Sequence, residues 1–519
     1  MVERFDVILS TDRSLMSNHH GYMFLGFGTT MPLILPRRFI QWLFAPPMKH
    51  KNGIVWEAPY GLRRCEATLA AHGYKVAVVD PDYVVKYLEA GAKVLVLRHH
   101  DWFGMNPPTS TWTLFVDAEP LNVVLFREFI EKVVEAKSRL DFKIIVAGPA
   151  VWQWLHYSYK IDEYMIDVIV DSNGDREDQA LACIVNRILN GLSVPRYVKI
   201  GVRDGVPIEK INPIIHASVN GLVEVGRGCP RGCAFCSVGG RPLKWYPYDF
   251  IEREILTNVR EGQKTGILSA TDILLYGSKG IIPNKEAVIK LNKLAKKYWV
   301  RVGWSHLSLA AAVAGGDLLE KLSEILIDGI KQRIIGVEVG VESGSPRMME
   351  KHMAGKPKPF KCSEWPEVVE KAFSIMHDNN IVPASTLVVG LPGEEDEDVL
   401  RTIELVEKLR PYRSLIVPMF FVPMGPSRLG REEWFRKLRE SHVDLLVACL
   451  KHDVYWAKEL IKEYLRETSK IPLRKALEWL IGYAEKNIPR IRKSLLKIVE
   501  ERKNRAVQNH GYSQKTILS

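Results

Sequence analysis

The spacing of apolar positions changes period repeatedly along this chain. From about residue 58, stretches with apolar residues at three- and four-residue steps alternate with short β-branched runs, the signatures of helices and strands. Helix is expected over residues 60–72 with a stop at Gly73, and strand over 76–79 ending at Asp80. Helix 83–89, strand 94–97, helix 121–140, strand 143–147 and strand 168–170 follow, and a short strand precedes them at 5–10. Strands alternating with helices imply a parallel sheet covered on both faces.

Gly191, Pro195, Gly201, Gly205, Pro207 and Pro213 mark a linker, after which the alternation resumes. Strands are expected at 222–225, 273–276, 300–306, 334–339, 385–389 and 414–421, with helices at 249–261, 285–297, 318–327, 365–379 and 396–409 between them. Six strands in this order suit an α/β barrel, whose chemistry gathers at the carboxyl ends of the strands. From residue 431 the pattern is helical. The expected organisation is an N-terminal strand and apolar extension over 1–57, a first α/β domain over 58–194, a linker over 195–218, a barrel over 219–425 and a basic helical domain over 426–519.

Composition keeps the chain in the soluble globular class, with 46% hydrophobic and 26% charged residues over 519 positions. The N-terminus, with Glu3 and Asp6, lacks the order of a signal peptide. Residues 21–48 are apolar and aromatic, but Pro32, Pro36, Arg37 and Arg38 interrupt them, so a spanning helix is not expected. A buried covering loop and peripheral membrane contact both remain. The net charge is +11, and 20 Lys and Arg against 12 Asp and Glu lie between 431 and 519. A solvated helical surface, nucleic acid or an anionic membrane would each account for that tail.

The chemistry is concentrated between Gly226 and Val238, where Cys229, Cys233 and Cys236 stand in C-x3-C-x2-C spacing. A cubane iron–sulfur cluster held by three thiolates leaves one iron open to an outside ligand. Structural zinc needs four ligands, and no histidine or further cysteine follows at suitable spacing. Cys65, Cys183, Cys362 and Cys449 are scattered singly, which fits a reducing, cytoplasmic setting and argues against both a disulfide framework and a second cluster.

The triad, with Phe235 before its last cysteine, closely resembles the signature of the radical S-adenosylmethionine (radical SAM) superfamily. Gly340-Val341-Glu342-Ser343-Gly344 resembles that family's turn after the fourth strand, and Gly390-Leu391-Pro392-Gly393-Glu394 its turn after the fifth. The resemblance implies a partial (β/α)6 barrel and a [4Fe–4S] cluster on the three cysteines. SAM would be chelated to the open iron and cleaved to a 5′-deoxyadenosyl radical. It also implies that Phe235, Gly277, Ser278, Glu342, Ser343 and Gly390 bind SAM. Each has an ordinary structural reading as well, as a turn or helix-capping residue.

In the first domain, strand ends at Asp80, Arg98-His99-His100-Asp101, Gly148-Pro149-Ala150 and Asp171 to Asp175 resemble the Rossmann-like (flavodoxin-like) cobalamin-binding domain of many radical SAM enzymes. There Gly148 and Gly174 would let a flat cofactor approach the backbone. Ala147-Gly148-Pro149 matches the family's Gly-Gly-Pro-like turn, whereas Asn173-Gly174-Asp175 departs from its Gly-Glu-Gly-Glu-like turn. No D-x-H-x-x-G sequence is present, so His99 and His100 are weak ligand candidates and read first as ordinary polar loop residues. A flavodoxin-like domain without a cofactor is the alternative.

The resemblance implies a cobalamin-dependent enzyme that methylates an unactivated carbon, with an electron donor such as ferredoxin or flavodoxin and a small-molecule or lipid substrate. Radical carbon–carbon or ring formation on a lipid-like substrate is the second expectation. A tRNA-modifying methylthiotransferase shares the barrel motif but would carry another cysteine triad ahead of it, and nucleic acid is not the expected partner. A cobalamin- or nucleic-acid-binding module with a structural cluster is the reading of a different class.

Overall fold

The structure is a computed structural model and describes residues 3–172, 177–201, 207–425, 427–429 and 438–515. The first sheet is built from β1 (Val7–Ser10), β2 (Val76–Val78), β3 (Val94–Arg98), β4 (Lys143–Ala147), β5 (Val168–Asp171) and β6 (Tyr197–Lys199). All are parallel, in the order β2-β1-β3-β4-β5-β6. Continuous Val, Ile and Leu runs suit these strands because both faces are covered. Leu95, Leu97, Ile144 and Val146 meet Phe126, Phe129 and Ile130 on one side, while Val94, Val96 and Ile145 meet Leu62, Leu69 and Val185 on the other.

Two expectations change here. β1, set apart above in an N-terminal extension, pairs with both β2 and β3 near the middle of the sheet, so the domain begins with it. Its four residues are all buried, and so short a run carries no periodicity. The segment read as linker contributes β6, an edge strand too short and too exposed to show a pattern.

The second unit contains β7 (Leu222–Glu224), β8 (Gly226–Cys229), β9 (Arg241–Trp245), β10 (Thr265–Ser269), β11 (Arg301–Trp304), β12 (His306–Leu307), β13 (Ile335–Glu342), β14 (Ile381–Val389) and β15 (Leu415–Phe420). β11 and β12 form one course interrupted at Ser305, whose N–H donates to Leu268 at 3.0 Å and whose carbonyl accepts from Glu338 at 2.9 Å. The result is an open parallel barrel in the order β7-β10-β11/β12-β13-β14-β15. Val337, Val339 and Val341 are buried against the outer helices, while Gly336, Glu338 and Gly340 alternate with them on the partly open inner face.

The second barrel strand lies at 265–269, not at 273–276. Ile273–Leu275 is instead a buried 3-10 turn, opened by the Asp272 side chain accepting from the Leu274 N–H. An apolar run of four fits a buried turn as well as a strand, whereas the half-open strand carries Thr265 and Ser269 on its inner face.

The C-terminal helix Glu440–Tyr464 lies along β15 and is tied to it by the Ile416 N–H donating to Asp453 at 2.7 Å. The helix Ile471–Lys515 returns along it, joined by the pairs Lys458–Glu485 and Arg492–Asp444. Residues from the apolar N-terminal segment, Ile40, Leu43 and Phe44, pack with Leu473 and Leu477 of that helix, while Trp42 and Ile34 stay exposed. Among the described residues no helix is long and apolar enough to cross a membrane.

Two contacts orient the first domain on the barrel. At one, Tyr60 donates to Glu254 at 2.8 Å and Arg64 pairs with the same carboxylate at 3.1 Å. At the other, the Phe420 N–H donates to Thr111 at 2.9 Å, and Met105 and Trp152 pack on Val422. Residues 105, 111 and 152 follow β3 and β4, and residue 422 follows β15. The carboxyl ends of the two sets of strands therefore face each other.

Candidate functional site

The triad lies on a hairpin rather than a free loop. β8 and β9 pair antiparallel, with Cys229 opposite Arg241 and bridged to Gly239. The two glycines ahead of Cys229 are required by this pairing. A Cβ on Gly226 would stand 2.1 Å from the Trp245 ring, and one on Gly228, at φ +92°, 2.0 Å from the Pro242 carbonyl.

The hairpin tip is held from three sides. Arg231, almost wholly buried, donates at 2.8 Å to the Lys356 and Lys358 carbonyls and to Ser308. The Ala234 N–H donates to His352 at 2.8 Å, and the Ala234 carbonyl accepts from the Arg428 N–H at 3.0 Å. The Thr271 hydroxyl donates to the Gly228 carbonyl. These contacts fix the backbone that carries the sulfurs.

All three thiols are free, with Cys233 buried and Cys229 and Cys236 half-buried. Burial pushes the Cys233 thiol up to about 11, against the opposing influence of the Lys356 ammonium. Metal binding must therefore displace protons, as it does wherever thiolates are the ligands. Among the described residues no three His, Cys, Asp or Glu side chains converge as one ion would need. Three thiolates suffice for a cubane with one open iron, whereas structural zinc takes four ligands, so the donor set fits a cluster better than a single zinc.

Beside the triad, Glu342 ends β13 after a register shift and holds φ +65°. Its carboxylate is buried, 2.8 Å from the Lys356 ammonium and 3.2 Å from the Thr386 hydroxyl, which donates to it. A non-glycine residue in that conformation is held by its surroundings, a condition that clusters at functional sites. Further along the inner face, His306 lies 3.0 Å from Glu338. Its side chain is half exposed; partial desolvation on the inner face would lower the imidazole, but the Glu338 carboxylate and the Ala270 carbonyl keep it above its ordinary range.

The other residues singled out by sequence are placed differently. Phe235 is half-buried against the barrel core. Ser343 turns outward, its hydroxyl 3.4 Å from Thr402 on the outer helix Asp396–Lys408, and it accepts from the Ser345 N–H. The Gly390 N–H donates to Glu394 at 2.9 Å, and Glu394 in turn pairs with Arg439 and His442 of the C-terminal region. Ser278 donates within its own loop to Ile282, and its carbonyl accepts from Trp245 of β9. Gly277, at φ +71°, accepts from Asn284.

Sequence reasoning missed Arg231, Thr271, Asp272, Ser308 and Lys356. Once β10 is placed at 265–269, Thr271 and Asp272 occupy the strand end assigned above to Gly277 and Ser278. Asp272 accepts from Ser308 and lies 3.8 Å from Arg231. Burial raises its carboxyl above the ordinary range despite that arginine.

The profile of the radical SAM superfamily matches residues 223–406, the interval that contains the hairpin, the triad and strands β10 to β14. This chain contains a radical SAM domain. Such a domain works with a [4Fe–4S] cluster and SAM, and the triad lies within the matched interval.

Among known proteins, an uncharacterised protein of Methanopyrus kandleri is 30% identical over 224 residues, 39% of this chain and 40% of that one. The ribosomal protein uS12 methylthiotransferase RimO of Thermotoga maritima is 25% identical over 300 residues, 55% of this chain and 62% of the enzyme. The matched region thus spans less than two thirds of these curated relatives. Among solved structures, the radical SAM methyltransferase TsrM of Kitasatospora setae aligns with a TM-score of 0.51 at 13% identity, over 81% of this chain and 77% of that one. That likeness extends the shared fold beyond the radical SAM domain.

Proposed function

We propose that this chain is a cobalamin-dependent radical SAM methyltransferase that modifies an unactivated carbon of a small or lipid-like molecule. The observation that carries the reading is the docking of the first domain, whose β3 and β4 strand ends meet the carboxyl end of β15 through Thr111, Met105 and Trp152. The sheet has the flavodoxin-like order, whose ligand crevice opens between β1 and β3. A corrinoid there would sit opposite the barrel mouth. TsrM, which shares this fold, has been solved with cobalamin and a [4Fe–4S] cluster bound.

The crevice residues fit a cofactor in part. The Thr11 hydroxyl, after β1, is buried with no hydrogen-bond partner and supplies a polar group facing the switch point. His100, after β3, is exposed, whereas His99 is spent on structure: its Nε2 lies 2.7 Å from Asp12, and its Nδ1 accepts from the Asp101 N–H. Gly148 has a structural role of its own, because a Cβ there would stand 2.7 Å from the His99 carbonyl. Gly174 lies outside the described residues.

Cobalamin, when bound, supplies a methyl carrier. The chain's own part is to hold the cluster on the hairpin, to present Glu342 and Lys356 beside it, and to enclose the substrate between the inner barrel face and the first domain, where bulk water is excluded. An external one-electron donor of ferredoxin or flavodoxin type would reduce the cluster. A methylthiotransferase reading is disfavoured because only Cys65 and Cys183 precede the barrel, too few for a second cysteine triad.

The deciding experiment is anaerobic reconstitution with iron, sulfide and hydroxocobalamin, followed by metal analysis of the desalted protein. About one cobalt beside about four iron per chain is the expected result. Iron without cobalt would remove methylcobalamin transfer and bring radical carbon–carbon coupling forward.

A further inference from the structure

The outer face of the helix Ile471–Lys515 carries a stripe that the proposed chemistry does not use. Lys475, Trp479, Tyr483, Lys486, Arg490 and Lys493 succeed one another at three- or four-residue steps and are all exposed, so they share one side of the helix. Trp479 is 54% and Tyr483 57% exposed, with their rings stacked 6.1 Å apart. The surface continues beyond this helix. The Trp479 ring meets Phe39 at 6.5 Å and Phe39 meets Trp42 at 6.1 Å, which joins it to the short helix Arg37–Phe44. Trp42 is 41% exposed, and Arg38, one turn before it, is exposed as well.

The charges on this surface are uncompensated. Among the described residues no acidic side chain pairs with Arg38, Lys475, Lys486, Arg490 or Lys493. The acidic residues of the same stretch turn aside, Glu478 to Arg474 and Glu485 to Lys458. Between residues 471 and 493 there are six basic residues against two acidic ones, so the stripe attracts anions. An ordinary solvated helix face mixes both signs and does not leave large aromatic rings in water.

Indole and phenol rings interleaved with Lys and Arg suit the boundary between lipid headgroups and acyl chains. The same composition suits single-stranded nucleic acid, where bases stack on the rings. The N-terminal segment decides between them. Met23 and Ile34 are exposed there too, at 40% and 63%, and aliphatic side chains gain from hydrocarbon but give a base little to stack on.

We propose that this aromatic and cationic surface docks the protein reversibly on an anionic lipid bilayer. Attraction by the unpaired Lys and Arg brings the helix to the headgroups, and Trp42, Trp479 and Tyr483 settle among them. The proposal does not depend on whether cobalamin is bound.

The test is flotation of the full-length protein with phosphatidylglycerol/phosphatidylcholine vesicles and with phosphatidylcholine vesicles. Expected are binding to the anionic vesicles only, loss of that binding at high salt, and at least tenfold weaker partition for both W42S/W479S and K486E/R490E. All four positions are exposed, and circular dichroism verifies the fold of each variant. The proposal is overturned by equal binding to both vesicle types, by no binding to either, or by variants that partition like the parent. It is also overturned if single-stranded RNA binds more tightly than the vesicles and both variants lose it.

Discussion

The ammonium of Lys356 lies 2.8 Å from Oε1 of Glu342, above Gly340, where a Cβ would stand 2.0 Å from that same oxygen. Burial would lower the Lys356 ammonium, but the Glu342 carboxylate raises it overall, so the two charges depend on each other. Breaking a buried pair by removing one partner costs about 3–5 kcal/mol. Lys356→Met is therefore expected to lower stability by about 3 kcal/mol, because the pair retains slight exposure, and Glu342→Gln/Lys356→Met to recover most of it. Chemical denaturation of the four proteins of this cycle measures the coupling. A coupling near zero would show that the pair does not hold the site.

Glu342→Ala is expected to weaken SAM binding about tenfold or more while leaving iron content unchanged, since the carboxylate stands beside the triad and is not part of it. A tenfold loss corresponds to about 1.4 kcal/mol, the scale of a single polar contact. Equilibrium binding to the reconstituted protein, with iron measured in parallel, gives both numbers. Unchanged affinity would leave Glu342 with a structural role only.

Cys233→Ala is expected to bring iron from about four per chain to near zero and to abolish SAM cleavage, with the far-ultraviolet dichroism unchanged. Gly228→Ala is expected to give the same loss of iron for a different reason. Its new methyl group would displace the Pro242 carbonyl and open the hairpin that spaces the sulfurs. Retained turnover in Cys233→Ala would remove the assignment of the triad.

The sequence shows the order of strands and helices well because most are long enough to display a period, and it shows the triad because three thiols within eight residues have few other uses. Shorter elements escape it. β1 and β6 have four and three residues, and the apolar run 273–276 outweighs the true strand at 265–269. The clamp on the hairpin is illegible for another reason: Arg231 meets carbonyls 125 and 127 positions away, and a backbone acceptor carries no side-chain signal. The turn in sequence points Ser343 toward SAM, but a single residue in a turn does not reveal whether it faces the barrel interior or, as here, Thr402.

The C-terminal helix should loosen in acid through His452. This imidazole is buried against β15, with its Nε2 2.8 Å from the Ser414 hydroxyl and its Nδ1 unpartnered. Burial pushes its pKa down to about 4. The unfolded chain therefore takes up a proton near pH 6.5 that the folded chain refuses until about pH 4. Its contribution is fully present above pH 6.5 and declines as pH falls through that window, by about 3 kcal/mol at pH 4. His452→Gln keeps a partner for Ser414 and does not titrate. Its stability should fall less steeply between pH 6.5 and 4, and equal slopes for parent and variant would exclude His452 as the source.

The junction between the first domain and the barrel rests on Arg64. Its guanidinium is 3.1 Å from Glu254 and 3.7 Å from Glu224, and lies over the rings of Tyr60, Tyr246 and Phe250. Glu224 ends β7, two residues before the strand that carries Cys229, so the cation couples the position of the first domain to the base of the hairpin. Burial raises the Glu254 carboxyl even with Arg64 present. In Arg64→Met that carboxyl is expected to become protonated rather than remain an unpaired buried charge. Adding Glu254→Gln should then cost little more, whereas Arg64→Met alone should weaken the junction by about 3 kcal/mol. Calorimetry of the full chain distinguishes the cases. Coupled domains unfold together, and loss of the junction should split off the first domain as a separate, earlier transition. A single unshifted transition in Arg64→Met would mean that the contact at Thr111 and Phe420 is sufficient to hold the two units together.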